Sequence, residues 1–177
     1  AQITDEEVLE NISENKEKAP VKRSKSGIIV KGLYDVAVHF SKCCSPVPGD
    51  EIVGFVTRGR GVSIHRTDCI NIINLSDMEK ERLIDAEWQH DEESGESGLY
   101  LAEIKIYGNN RTGLLVDITR VFTEREIDIN GIHSKTSKQG VATIDISFST
   151  KGKAELNSVI DKLRQIDSII DIERTTG

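Results

Sequence analysis

The chain has 177 residues, enough for one domain of ordinary size or two small ones, and carries a net charge of -7. No apolar run approaches the length of a bilayer span, and the opening AQITDEEVLENISENKEK is acidic and unlike a secretory signal, so the expected setting is soluble and cytoplasmic. Three cysteines, two of them adjacent, make a poor disulfide framework and fit a reducing compartment.

Thr4 and Glu7 have capping-box spacing and Val8, Leu9 and Ile12 form a short apolar stripe, which predicts a helix over residues 5–17 within a first segment, 1–18. The run APVKRSKS over 19–26 reads as a linker. GIIVKG and VAVHF have the character of short strands, and PVPGD has turn chemistry at Pro48, Gly49 and Asp50. EIVGFVTR and GVSIH, joined through Arg58, Gly59, Arg60 and Gly61, form a hairpin pattern, since glycine supplies the positive φ that a tight return needs. A helix is expected over 68–75, capped by Thr67 or Asp68, with Ile70, Ile73 and Leu75 supplying core. Ser76 and Glu79 repeat the capping-box spacing, and LIDAEW closes a small sheet.

Residues 39–69 hold all three cysteines. Cys43 and Cys44 precede the PGD turn, His65 ends the hairpin and Cys69 opens the following helix, so thiolate and imidazole donors suited to zinc are available. The spacing lacks a CxxC knuckle, and adjacent cysteines do not easily share one ion. The competing reading makes the cysteines small buried apolar groups and gives His65 a hydrogen bond with Asp68. A cysteine nucleophile paired with His65 is a third reading, with no orienting group nearby. Charge singles out the same region: residues 19–72 carry 8 basic and 4 acidic side chains, against 13 and 20 over 73–177. Lys42, Arg58, Arg60 and Arg66 are the candidate phosphate contacts. With few aromatics nearby, backbone and shape recognition of RNA is expected over base reading.

HDEESGESG marks a second linker, 91–97, separating a module over 27–90 from one over 98–177. In the latter, Ala102, Ile104 and Ile106 alternate with charged residues as in a strand buried on one face, and Leu114, Leu115, Ile118, Val121 and Phe122 recur at helical spacing. EIDINGIHSKTS and VATIDISFS follow as strands, Leu156, Val159, Ile160, Leu163 and Ile166 as a helix, and SIIDIER as a last strand. The order βαββαβ is ferredoxin-like, an antiparallel sheet with both helices on one face, and the class of the whole chain is α+β. Between the first strand and helix, YGNNRTGLLVDI offers helix-start amides for a carboxylate, side-chain hydrogen bonds from Asn110 and an apolar wall from Leu114 and Leu115. An ordinary helix start, capped by Asn110 or Thr112, explains the same residues.

The stretch CCSPVPGDEIVGFVTRGRGVSIHRTDC followed by a βαββαβ unit with NRTGLLVDITRVF resembles the C-terminal regulatory half of RelA/SpoT-type guanosine tetra- and pentaphosphate synthetase/hydrolases. The CC, PGD, GRG and HRTDC elements in that order carry the resemblance. It covers nearly the whole chain: a zinc-finger-like or ribosome-intersubunit module over about 27–90, an ACT domain from about 98, and before them the end of a helical region. The resemblance implies a non-catalytic fragment of a GTP pyrophosphokinase that senses amino-acid starvation through the ribosome and uncharged tRNA and controls upstream catalytic domains. It implies that Cys43, Cys44, His65 and Cys69 are the conserved-cysteine set, with zinc as the candidate metal. It also implies a homodimer through the ACT domain. A branched-chain amino acid (valine, isoleucine or leucine) would then be held by Asn110, Arg111, Thr112, Gly113, Leu114 and Leu115 with Asp128, Ile129 and Asn130. An ACT effector module of a biosynthetic enzyme would account for 98–177 and leave CC to HRTDC unexplained; a stand-alone zinc-dependent RNA-binding module would account for the first part only.

Overall fold

The computed structural model describes residues 27–31, 33, 36–89 and 98–175. The helix expected over 5–17 and the linkers expected at 19–26 and 91–97 lie outside them. Two sheets result. The first holds β1 (Ile28–Val30), β2 (Val38–Phe40), β3 (Ile52–Val56), β4 (Val62–Arg66) and β5 (Leu83–Trp88) in the order β1-β5-β3-β4-β2. The predicted hairpin is β3 with β4, in register from Ile52 opposite Arg66 to Val56 opposite Val62. Its return is closed by Thr57, whose backbone N–H and hydroxyl both donate to the Gly61 carbonyl, at 2.9 and 2.7 Å. Gly61 has φ 75°, and a Cβ there would lie 2.0 Å from the Ala37 carbonyl oxygen. Only glycine fits such a backbone and such a contact. β2 runs parallel to β4, so β4 is paired on both edges, and Val62, Ser63, Ile64 and Arg66 are all buried.

Two four-residue helices follow, α1 (Ile70–Ile73) and α2 (Asp77–Lys80). The Ser76–Glu79 capping box forms on α2 as its spacing predicts. The expected core role of α1 does not hold: Ile70 and Ile73 are 48% and 61% exposed. The segment is anchored instead by Cys69, its N-cap, which is fully buried.

The second sheet holds β6 (Tyr100–Asn109), β7 (Ile129–Thr136), β8 (Val141–Thr150) and β9 (Ile169–Arg174) in the order β7-β8-β6-β9, all antiparallel. Helices α3 (Leu114–Glu124) and α4 (Lys153–Leu163) cover one face. The alternation read from the sequence is the burial pattern: Ala102, Ile104 and Ile106 on β6 and Ala142, Ile144, Ile146 and Phe148 on β8 are inside, together with Ile118, Phe122, Leu156, Val159 and Leu163 from the helices. Phe122 meets Phe148 edge-on, with centroids 5.0 Å apart at 64°. Each such fully buried large side chain contributes about 1.5–3 kcal/mol through apolar area removed from water. This is the predicted βαββαβ arrangement.

The loop after Cys44 joins the two sheets. Val47 is fully buried among the core residues of the second sheet, and the Pro48 carbonyl accepts from the Lys153 N–H at 2.8 Å. Arg174, on β9, donates to both Asp50 carboxylate oxygens at 2.6 and 2.9 Å and to the Ser45 carbonyl at 3.1 Å. Trp88 stacks on Phe40 at 5.7 Å, Tyr100 stands edge-on to both rings, and the Trp88 indole N–H donates to the Asp50 carbonyl at 3.0 Å.

Candidate functional site

The loop from Ser41 to Asp50 is built by a helical turn. The Ser45 N–H donates to the Ser41 carbonyl at 3.0 Å, and Ser45 then takes a left-handed backbone (φ 43°) that redirects the chain into PVPGD. In a helical turn successive side chains diverge by about 100°, and not to opposite sides as along a strand. Both cysteines therefore reach the same centre. His65 comes from the penultimate position of β4 and Cys69 from the start of α1.

The donor atoms of Cys43, Cys44, His65 and Cys69 all lie within 4.8 Å of one another. Cys43 Sγ is 3.4 Å from His65 Nδ1 and 3.5 Å from Cys69 Sγ, and Cys44 Sγ is 3.9 Å from His65 Nδ1. A tetrahedral zinc with Zn–S bonds of about 2.3 Å separates its sulfurs by about 3.8 Å, so the three short separations stand near the spacing such an ion requires and the whole set lies within about 1 Å of it. His65 points Nδ1 at the sulfurs while Nε2 is 3.1 Å from the Ser63 hydroxyl, a second contact that fixes the ring. The residues present thus fit a tetrahedral metal ion. The expected His65–Asp68 hydrogen bond is not the one that forms: Asp68 pairs with Arg66 at 2.9 and 2.5 Å.

The electrostatics distinguish the thiols. Burial pushes the Cys43 thiol up, but hydrogen bonds from Ser41, Asn71 and Cys69 outweigh it and hold the group below the ordinary thiol value. Burial pushes Cys44 up to about 12, opposed only in part by the Arg66 backbone N–H that donates to its sulfur at 3.3 Å. Cys69 is likewise raised by burial. Burial, with His39 nearby, lowers His65, which favours the neutral imidazole that a metal needs.

The basic residues separate into two groups. Lys42, Arg58 and Arg60 are exposed, the arginines at the β3–β4 return. Arg66 is a correction to the sequence reading: it is 6% exposed, bound to Asp68, and donates to the carbonyls of Cys44 at 3.4 Å and Thr175 at 3.3 Å. Its charge is spent on joining the cysteine loop to the end of β9. The signal that could have revealed this is its place in β4, one step from His65 on a strand paired at both edges.

At the strand-to-helix turn, Gly113 (φ 81°) is the N-cap of α3 and no side chain caps the helix, so neither Asn110 nor Thr112 fills the role expected of an ordinary start. Arg111 folds across the turn, donating to Asp117 at 2.6 Å and to the Ser168 hydroxyl at 3.0 Å. Leu114 is buried and Leu115 is 41% exposed. Asp128, Ile129 and Asn130 stand at the other end of the sheet. Ile129 is opposite Phe148, which is opposite Ala102, whereas Asn110 directly follows Asn109 at the far end of β6. From Ala102 to Asn109 is seven strand steps, roughly 23 Å. One chain does not bring the two groups together.

A family profile described as RelA/SpoT RIS domain matches residues 28–89, and one described as ACT domain matches residues 96–174. The cysteine-bearing sheet and the sheet after it are thus a RIS domain and an ACT domain, a pair of regulatory modules. The chain belongs to the RelA/SpoT family and corresponds to its C-terminal regulatory region. It is 36% identical over 167 residues to a GTP pyrophosphokinase of Escherichia coli (strain K12), covering 93% of this chain and 22% of that protein. It is also 36% identical over 174 residues to one from Streptomyces coelicolor, covering 97% of this chain and 20% of that protein. The chain thus spans about a fifth of these relatives. Among solved structures, the crystal structure of the ACT domain from the GTP pyrophosphokinase of Chlorobium tepidum is 28% identical, covers 44% of this chain and 99% of that chain, and has a TM-score of 0.40. No helix among the described residues is long and apolar enough to cross a membrane.

Proposed function

We propose that this chain is the cytoplasmic control region of a stringent-response guanosine tetra- and pentaphosphate synthetase/hydrolase, making no alarmone itself and acting on catalytic domains elsewhere in the same protein. The observation that carries the reading is the four-donor cluster of Cys43, Cys44, His65 and Cys69, whose loop is built into the core of the ACT sheet through Val47. Zinc held there would fix the hairpin's base, while the exposed Arg58 and Arg60 at its tip, with Lys42, contact ribosomal RNA and uncharged tRNA. Docking at the tip is then transmitted along β3 and β4 to the cluster and through Asp50 and Arg174 to β9.

The ACT domain is the amino-acid sensor in this reading. Uncapped amides at the start of α3 suit a ligand carboxylate, the exposed Asp128 suits its ammonium, and Leu115 suits a valine, isoleucine or leucine side chain. Because residues 110–115 and 128–130 stand at opposite ends of one sheet, a second copy completes the pocket. β7 supports such pairing: it is an edge strand, exposed along most of its length, with Ile132 46% exposed. The test is ribosome co-sedimentation with and without uncharged tRNA, comparing the chain with the Arg58→Glu, Arg60→Glu double variant. The expected result is loss of pelleting in the variant at unchanged thermal stability; equal pelleting removes the hairpin tip from the interface.

A further inference from the structure

We propose that Cys43 and Cys69 are a peroxide-oxidisable pair that closes to a disulfide, with Cys44 left as a free thiol. Three geometric facts select this pair. Cys43 Sγ and Cys69 Sγ stand 3.5 Å apart, so bonding at about 2.05 Å requires an approach of about 1.5 Å, within the reach of small side-chain rotations. Cys43 is the one cysteine of the three with solvent access, Cys44 and Cys69 being 1% and 0% exposed. Cys44 Sγ accepts a hydrogen bond from the Arg66 N–H at 3.3 Å, and its bond to Cys43 would be a vicinal one of poor geometry. The exposed sulfur is therefore the one an oxidant meets first, and the buried Cys69 sulfur 3.5 Å away is the one that resolves it.

The chemistry balances with hydrogen peroxide as oxidant. The Cys43 thiolate attacks one peroxide oxygen, the O–O bond breaks, hydroxide leaves, and the sulfur becomes a sulfenic acid. Cys69, giving up its proton, attacks that sulfur; the S–S bond forms and the S–O bond breaks as water departs. Two thiols and one peroxide yield one disulfide and two waters. Ser41, whose hydroxyl is 2.9 Å from Cys43 Sγ, and His65 Nδ1, at 3.4 Å, are the polar groups beside the attacked sulfur. A cytosolic thiol pool reverses the bond. Two sulfurs spent on each other no longer serve as thiolate donors, so oxidation and metal binding exclude one another at this centre.

The inference goes beyond the metal reading and is tested apart from it. The full chain, as purified and again after chelator treatment, is exposed to peroxide, unfolded, alkylated and cut with trypsin without reductant. The expected product links the peptide 43–58 to the peptide 67–80, lacks two hydrogens, carries the alkyl label on Cys44 in fragment spectra and is released by dithiothreitol. Cys44→Ser should leave the link intact. Cys69→Ser should abolish it and leave a sulfenic acid on Cys43 that dimedone traps. A link through Cys44, a dimedone adduct on Cys44, or terminal oxidation of Cys43 with no link in either preparation overturns the proposal. Zinc titration of the reduced chain reads the metal proposal separately, whichever way peroxide acts.

Discussion

Replacing Arg174 by Met should uncouple the two sheets. The Arg174 side chain is 12% exposed and the Asp50 side chain 4%, and their two contacts at 2.6 and 2.9 Å form a buried bidentate pair across the junction. Taking away one partner of such a pair costs about 3–5 kcal/mol, because the remaining charge is left desolvated. Asp50 would keep one donor, the Val47 N–H at 2.9 Å, so the low end, about 3 kcal/mol, is expected. Against a total of about 5–15 kcal/mol for a protein of this kind, that is a large loss. The chain has a single tryptophan, and Trp88 lies in the junction, stacked on Phe40 and hydrogen-bonded to the Asp50 carbonyl. Urea unfolding followed by fluorescence therefore reports the junction, while far-ultraviolet circular dichroism reports both sheets. The variant should show the fluorescence change at lower urea than the dichroism change. Adding Asp50→Asn should cost less than the sum of the single changes. A change of less than about 0.5 kcal/mol for Arg174→Met, the size typical of a surface substitution, would refute the reasoning.

Two further outcomes follow from the same junction. Val47→Ala, at a fully buried position in the second core, should destabilise by about 2 kcal/mol from lost transfer energy and the cavity left behind, measured by urea unfolding; no loss would mean that the loop only rests on the sheet. The Arg66 hydrogen bonds hold the Asp68 carboxyl below its usual range, so this group adds stability that is complete above its unfolded value of about 3.9 and is lost as pH falls through the folded one. Melting temperatures between about pH 5 and pH 2 should fall less steeply in Asp68→Asn than in the parent chain; parallel curves would contradict this.

The ACT fold was legible because its signals are local. Alternation at Ala102, Ile104 and Ile106 and helical spacing at Ile118, Val121 and Phe122 each follow from one element burying one face. The convergence of Cys43 and Cys44 was not, since side-chain direction depends on whether the backbone at 41–45 is strand or helical turn, and the turn is closed by a single Ser45–Ser41 hydrogen bond. Nor was the junction. Asp50 and Arg174 are 124 positions apart, and the PGD run is explained locally by its turn. Arg66 shows the same limit: an arginine after a histidine reads as surface charge until the cysteine loop and the chain just after β9 close over it. Ile70 and Ile73 fail in the opposite direction, since a four-residue helix has room for one inward anchor and Cys69 takes it.

Everything in the regulatory reading passes through the four donors at the base of the hairpin. Native mass spectrometry of the reduced chain, with cobalt(II) substitution followed by visible absorption, measures them. One zinc per chain is expected, with tetrahedral cobalt bands and thiolate-to-cobalt charge transfer, both abolished in His65→Ala and in Cys69→Ser. A folded, reduced chain that takes up neither metal would contradict the account.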